Sequence, residues 1–220
     1  MNKTETPKEE LSLLRKASIK IRHGMVLQVV RNRMARIGID ISPYYFFREG
    51  VGDIAIPEIK GKASDYVFEY LGPGDMKMAA DSSVGYKEED LLGFLKNGDI
   101  CIGLKKGGQL AAFMWIGLKE WKFKNITVPL ERDEAYLWNM YTMEAFRGIN
   151  LAPYLRYLSY EALRGMGRNK LYSISEYFNT PAIKFKSKLN ARITRFGIYV
   201  ILFRKFHRDF TLRTYRNSPS

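Results

Sequence analysis

The sequence predicts an α/β fold preceded by an N-terminal helical extension. The 220 residues are 46% hydrophobic and 27% charged, which is the balance of an ordinary globular protein. Strand-type and helix-type patterns alternate along the chain in the order βααβββαβαβ. No run of about 18 apolar residues occurs in the sequence, so we expect no membrane-spanning helix.

Residues 1–60 are predicted to form a basic helical extension. Between residues 9 and 37, apolar residues such as Leu11, Leu14 and Ile21 recur at helical spacing, and no proline interrupts them. Basic residues fill the other faces of this helix. It either packs on the following domain or docks on a membrane or a partner, and its wide apolar arc favours packing.

The other elements follow in order over one domain, residues 61–220. Gly107 and Gly108 join two alternating segments into a hairpin, because both tolerate a positive φ. Pro153 suits the first turn of a helix, whose apolar face includes Leu155 and Leu158. The predicted strands cover residues 65–71, 99–104, 110–118, 134–143, 171–175 and 193–203, and the predicted helices cover 75–81, 87–96, 151 to 165 or 167, and 181–189.

The net charge of +13 is concentrated at the two ends of the chain. Residues 11–38 contain seven basic residues and no acid, and residues 184–216 contain ten basic residues and one acid. Such basic flanks attract phosphate groups, which belong to a nucleotide cofactor, an anionic membrane or a nucleic acid. No helix-turn-helix, zinc or RNA-recognition motif favours nucleic acid.

Targeting and redox features of the sequence indicate the cytoplasm. The first ten residues are polar and unlike a secretory signal. Cys101 is the one cysteine and is interpreted as a small buried hydrophobe. His23 and His207 lack metal-ligand spacing, so no metal site is expected. The basic flanks allow a peripheral position at the inner face of the membrane.

A strand end followed at once by a helix start, over residues 144–152, is the segment that points to chemistry. An anion held there meets free backbone N–H groups and the positive end of the helix dipole. Arg147 adds a positive charge, and Gly148 allows a close approach. A plain strand-to-helix turn has the same pattern, so the surrounding sequence must decide between the two interpretations.

That surrounding sequence resembles the GCN5-related N-acetyltransferase (GNAT) superfamily. The pyrophosphate loop of this family has the pattern Gln/Arg-x-x-Gly-x-Gly/Ala, and Arg147, Asn150 and Ala152 occupy those positions. Asn179 and Ala182 match the later Asn-x-x-Ala signature. The resemblance covers about residues 65–203 in element order, and it implies a GNAT-like mixed central sheet with helices on both faces.

The resemblance implies an acyl transfer from acetyl-coenzyme A or another acyl-coenzyme A to an amine, without a metal. Two central strands splay apart in this fold, which leaves the backbone of Met140, Tyr141 and Thr142 to pair with the pantetheine amides. The loop holds the pyrophosphate, and Asn179 orients the pantetheine arm or a water molecule. The loop residues implied are Arg147, Gly148, Ile149, Asn150, Leu151 and Ala152.

Three residues are candidates for proton transfer. Glu176 and Glu134 lie near the ends of central strands and could take the proton of the amine, although the interpretation that we favour for each is a surface acid. Lys186 occupies the position where the family often has the tyrosine that protonates the departing thiolate. Its alternative interpretation, which we favour, is a solvated helix charge. Asn150 also departs from the family glycine, but asparagine tolerates a positive φ.

Other functions stay open. One is a long-chain N-acyltransferase that takes its acyl group from an acidic acyl carrier protein at a membrane surface, which the basic flanks would suit. Another is a non-catalytic protein that binds anions or nucleic acid. The expected partners are a small-molecule or peptide amine, an anionic membrane or acyl carrier protein, and a second copy of the chain as a homodimer.

Overall fold

The structure, a computed structural model, describes residue 33 and residues 38–82 and 85–215. The helix predicted over residues 9–37 lies outside the described residues, apart from Arg33. The strands are β1 Ile39–Glu49, β2 Val67–Leu71, β3 Ile100–Lys106, β4 Gln109–Gly117, β5 Glu120–Phe123, β6 Ile126–Pro129, β7 Glu134–Thr142, β8 Lys170–Glu176, β9 Arg192–Leu202 and β10 Phe206–Thr214. The helices are α1 Met76–Ser82, α2 Glu88–Lys96, α3 Leu151–Gly165 and α4 Thr180–Lys188.

The chain divides into two compact units. The central unit contains the described residues of 47–174 and 185–192, and the terminal unit contains those of 1–46, 175–184 and 193–220. β1 begins in the terminal unit and ends in the central unit. All of β1 lies within residues 1–60, where the sequence predicted a helical extension, so residues 39–49 of that segment form a strand instead. The boundary at residue 60 stays a prediction.

The central unit contains a mixed sheet with the strand order β8-β7-β4-β3-β2. β7 and β8 are parallel, and the other neighbouring strands are antiparallel. The turn between β3 and β4 contains Gly107 and Gly108, with φ values of 56° and 78°, so the predicted hairpin is confirmed. A separate hairpin of β5 and β6, which the sequence analysis did not predict, follows β4.

Helices cover both faces of this sheet, because successive residues of its central strands β3 and β4 are apolar and buried on both sides. Cys101, Phe113 and Trp115 point to one face, where they pack with residues of α1 and α2. Met114 and Ile116 point to the other face, where they pack with the apolar side of α3. Cys101 is buried, so its interpretation as a core residue is confirmed.

The terminal unit contains the strands in the order β10-β9-β1. The hydroxyl of Tyr44 donates to the carboxylate of Asp209 at 2.9 Å, and the guanidinium of Arg195 lies over the ring of Tyr44. A Cβ at Gly197 would come within 2.7 Å of this ring, so β9 can pack on Tyr44 only with a glycine there. Among the described helices, none has the length and apolar character that crossing a bilayer requires.

Candidate functional site

The C-terminal half of β7 has an open edge on the side of β8. The two strands pair only at residues 134–136, which face residues 170–172. β7 continues to Thr142, and its opposite edge stays paired with β4 as far as that residue. The backbone of residues 140–142 is therefore paired with β4 on one side and is not paired with β8 on the other. An extended ligand with amide groups can add to such an edge.

A β-bulge lies at the start of this open edge. Trp115 of β4 faces Trp138, whereas Phe113 faces Tyr141, so β7 has one more residue than β4 between these pairs. Asn139 in the bulge has a φ of 46°. A bulge turns backbone groups out of the ladder, and N–H groups released in this way can polarise a carbonyl oxygen.

The turn that joins β7 to α3 is built on two left-handed residues. Gly148 has a φ of 80°, and Asn150, which precedes the first turn of α3, has a φ of 71°. The amide of Asn150 donates to the carbonyl of Glu58 at 2.5 Å, and the N–H of Lys60 donates to the carbonyl of Ile149 at 3.0 Å. The predicted tolerance of Asn150 for a positive φ is confirmed, and the segment around residues 58–60 holds the turn in place.

A cavity of about 550 Å³ opens at this turn. Five of the six predicted phosphate-loop residues line it: Arg147, Gly148, Asn150, Leu151 and Ala152. Thr142, which was predicted to pair with the pantetheine arm, lines it as well, whereas Ile149 does not. Lys60 and Lys188 bring two further positive charges to its wall, against the single acid Glu58. The cavity therefore combines the N-terminus of a 15-residue helix with three cations, which together suit a phosphate group.

Arg147 is exposed and folds back onto the end of β7. Its Nε donates to the carbonyl of Thr142 at 3.1 Å, and its guanidinium donates to the hydroxyl of Tyr141 at 3.1 Å. The side chain of Arg147 thus connects the cavity at the start of α3 with the open edge of β7. A ligand that pairs with the carbonyl of Thr142 would take the place of Arg147 at that atom.

The structure assigns two other predicted residues, Glu176 and Asn179, to the terminal unit. Oδ1 of Asn179 accepts a hydrogen bond from the N–H of Ala182 at 3.3 Å, so this residue caps α4. This cap accounts for the Asn-x-x-Ala pattern in physical terms. Glu176 is half-buried at the end of β8. Their roles toward a pantetheine arm and an amine stay predictions.

Lys186 differs from its expected environment. The sequence analysis favoured a solvated charge, but the residue is only 2% exposed, so that interpretation is wrong. Its Nζ donates to the hydroxyl of Ser173 at 2.6 Å and to the carbonyl of Ile174 at 3.2 Å. The reason is a long-range partner, since Nζ also lies 3.7 Å from a carboxylate oxygen of the fully buried Glu49.

Glu49 is the centre of a buried polar cluster in the central unit. Its carboxylate accepts hydrogen bonds from the hydroxyls of Tyr160 and Ser173 and lies 3.1 Å from Nε of Arg156. Burial alone would raise the pKa of Glu49, but Arg156 and Lys186 outweigh it and lower the pKa. The cluster thus contains one anion and two basic groups.

The environment of this cluster lowers the pKa of Lys186. Burial lowers the pKa of Lys186 to about 7, and Arg156 acts in the same direction, while the attraction of Glu49 opposes both. Sequence analysis missed Glu49 and Arg156. A charged residue in the apolar stripe of α3, as Arg156 is between Leu155 and Leu163, was the available signal.

The comparisons with solved structures identify the fold. The chain matches an acetyltransferase of the GNAT family from Colwellia psychrerythraea with a TM-score of 0.56 and 15% identity, over 78% of this chain and 61% of that one. It matches a tandem GNAT protein from the clavulanic acid biosynthesis pathway with a TM-score of 0.56 and 12% identity, over 80% and 58% of the two chains. A GNAT-family protein from Novosphingobium aromaticivorans matches with a TM-score of 0.53 and 17% identity, over 75% and 66%.

The chain therefore has the GNAT fold, and the predicted GNAT-like α/β class is confirmed. It spans less than two thirds of the length of each of these three structures. No protein-family model and no curated protein matches the sequence.

Proposed function

We propose that this protein is an N-acyltransferase that transfers an acetyl or other acyl group from acyl-coenzyme A to an amine. The observation that carries the proposal is the continuity of two sites along one stretch of chain. An open, bulged strand edge ends at Thr142, and a cationic cavity at a helix N-terminus begins at Arg147. A ligand with amide groups at one end and phosphates at the other fits this sequence of sites.

The cavity residues fit the phosphate end of such a donor. Arg147, Lys60 and Lys188 supply charge, and left-handed residues such as Gly148 and Asn150 are typical of turns whose free backbone N–H groups bind an anion. A Cβ at Gly148 would meet no atom within 4 Å, so the space beside this residue is open to a ligand. These features support phosphate binding at the turn.

The strand edge fits the thioester end. The backbone of Met140, Tyr141 and Thr142 would pair with the amides of the pantetheine arm, and a bulge N–H would polarise the thioester carbonyl. The donor supplies an activated thioester, whose carbonyl carbon bonds to the amine nitrogen as its C–S bond breaks, while the amine proton passes through a base to the departing sulfur. Glu176 is the residue we propose as that base, and water rather than Lys186 would return the proton, because Ser173 and Ile174 hold Nζ of Lys186 in its buried cluster.

The described residues contain no group of three or more His, Cys, Asp or Glu side chains arranged to hold a metal ion. The proposed reaction uses none.

The test is a titration of the full chain with coenzyme A and acetyl-coenzyme A by calorimetry, followed by a thiol-release assay across a panel of amines. We expect binding, a raised melting temperature and release of thiol that depends on an amine. Pantetheine is the matched control, because it retains the amides and lacks the pyrophosphate. No binding at millimolar coenzyme A would overturn the proposal, and thiol release only from acyl carrier protein would assign the donor to a carrier.

A further inference from the structure

A second cavity of the central unit, of about 560 Å³, has an aromatic wall. Phe94 of α2 and Trp138 of β7 meet edge to face with their ring centroids 5.0 Å apart, and Tyr86 lies 5.4 Å from Phe94. The fully buried Trp115 packs behind both Phe94 and Trp138. We call this cavity the aromatic cleft. Its wall is rigid, because each ring is held by at least one other ring.

The polar part of the aromatic cleft contains one carboxylate without a partner. Asp99 is half-buried, and its side chain forms no hydrogen bond or ion pair with any other residue that the structure describes. Burial raises the pKa of Asp99 to about 6, although Lys122 and Lys119 act in the opposite direction. A carboxylate in this state gains from a cationic ligand.

Two of the three lysines that line the aromatic cleft, Lys119 and Lys122, have partners other than Asp99. Nζ of Lys122 lies 2.5 Å from the carboxylate of Glu120, and Nζ of Lys119 donates to the carbonyl of Asn97 at 2.8 Å. Their charges are therefore partly satisfied by the protein itself. Lys119 and Lys122 attract Asp99 from a distance, and Lys124 also lines the cleft, but no described side chain forms an ion pair with Asp99.

The aromatic cleft and the open edge of β7 share a strand. Trp138 precedes Met140 by two residues, which is about 7 Å along a strand. Ile100, next to Asp99, pairs with Ile116 of β4, and Ile116 pairs with Leu137 of β7. Asp99 therefore lies about two strand spacings, or 10 Å, from β7. A ligand that reaches from Asp99 to the open edge must therefore be elongated, with its middle on the aromatic wall.

We infer that the aromatic cleft holds the acceptor of the acyl group, and that this acceptor is an elongated amine with an apolar middle and a second ammonium group that pairs with Asp99. The inference rests on the proposed function, because the reacting amine is placed at the open edge of β7. Aromatic faces and a carboxylate together recognise an ammonium ion. The apolar middle gains from contact with Trp138 and Phe94.

The test compares three ligands of equal length by calorimetry at pH 7.5, on the full chain without any acyl donor. They are 1,8-diaminooctane, octylamine and 8-aminooctanoate, which differ only at one end. We expect the diamine to bind about tenfold more tightly than either of the others, which corresponds to about 1.4 kcal/mol. The preference should shrink at pH 5, below the pKa of Asp99, where its carboxyl is protonated.

Two variants assign this preference to one residue. Asp99→Asn should remove the preference for the diamine and leave the affinity for octylamine unchanged. Asp53→Asn is the matched control, because Asp53 is an exposed acid outside the aromatic cleft, and it should retain the preference. If Asp99→Asn does not fold, the three-ligand comparison on the unmodified chain still decides.

Tighter binding of 8-aminooctanoate would overturn the inference and assign recognition to the lysines. Equal binding of all three ligands, or no binding, would overturn it as well. A separate titration with coenzyme A distinguishes this failure from failure of the proposed function. Binding of coenzyme A without a diamine preference refutes the acceptor alone, and a diamine preference without coenzyme A binding refutes the acyl donor.

Discussion

The ammonium nitrogen of Lys186 lies 3.7 Å from a carboxylate oxygen of Glu49, and both side chains are buried. Arg156 reaches the same carboxylate at 3.1 Å, so one negative charge serves two basic groups. A neutral Lys186 would balance the cluster, and a protonated one leaves a buried positive charge. The stability of the central unit should therefore depend on the protonation of Lys186.

We expect the free energy of unfolding to rise between about pH 7 and pH 9. The pKa of Lys186 falls from 10.5 to about 7 on folding, so over this range the unfolded chain binds a proton that the folded chain has lost. Stability then increases with pH, by at most about 1.4 kcal/mol per pH unit for one proton. Urea denaturation at pH 7, 8 and 9 measures this slope.

The matched variants for this slope are on one helix. Lys186→Met should abolish the rise, whereas Lys188→Met should retain it, because Lys188 is exposed. Cys101 and the buried tyrosines have raised pKa values and destabilise the folded state only at higher pH, so the window ends near pH 9. An equal slope in Lys186→Met and the unmodified chain would show that Lys186 stays protonated.

Lys186→Met also tests proton donation. Because Nζ of Lys186 donates to Ser173 and Ile174, the ammonium would have to leave this cluster to reach a thiolate. We therefore expect the rate of thiol release to stay within about tenfold of the unmodified protein. General acids contribute roughly 10²–10⁴-fold. A loss of a hundredfold or more with an unchanged KM for the donor would assign the proton to Lys186.

Removing the carboxylate of Glu49 should lower the free energy of unfolding. Glu49→Gln leaves Arg156 and Lys186 buried without an anion, and breaking such a pair costs about 3–5 kcal/mol. Denaturant unfolding measures the loss. At pH 6, below the pKa of Lys186, the double variant Glu49→Gln with Lys186→Met should recover part of it, because one of the two basic groups left without an anion is gone. Additive losses would mean that the two side chains do not interact.

Arg147→Glu tests the phosphate site. The substitution places a negative charge in the cavity at the start of α3, so the affinity for coenzyme A should fall at least tenfold. Arg147 is exposed, and we expect the melting temperature without ligand to change by only a few degrees. Arg132→Glu is the control, since Arg132 is an exposed arginine that does not line this cavity. Equal affinity of the two variants for coenzyme A would show that its phosphates do not bind near Arg147.

Elements with a clear local pattern could be predicted from the sequence. β3, β4 and α3 are confirmed with ends within one or two residues, because alternating or helical apolar positions determine which side is buried. The hairpin of β5 and β6 was missed, because its strands are only four residues long. β10 was missed because it is exposed on both faces.

The candidate site also has local features that the sequence predicts and long-range features that it does not. The turn at Gly148 and Asn150 is local, so its left-handed backbone could be predicted from residue types. The burial of Lys186 depends on Glu49, which belongs to a distant strand, and no local pattern reports such a pair. The carboxylate of Asp99 meets Phe94 and Trp138 at one cavity only after three separate elements have packed.

Two substitutions at Asn150 separate its backbone from its side chain. Asn150→Gly retains the left-handed turn and loses the hydrogen bond to Glu58, which contributes about 0.5–1.5 kcal/mol. Asn150→Ala loses the same bond and keeps a Cβ without the local hydrogen bonding that lets asparagine adopt a φ of 71°, so it costs about 1–2 kcal/mol more than glycine there. We therefore expect Asn150→Ala to melt about 2–8 °C below Asn150→Gly, by calorimetry. Because the turn frames the cavity, the alanine variant should also bind coenzyme A more weakly than the glycine variant. Equal melting temperatures would mean that the folded protein does not hold residue 150 in the left-handed conformation.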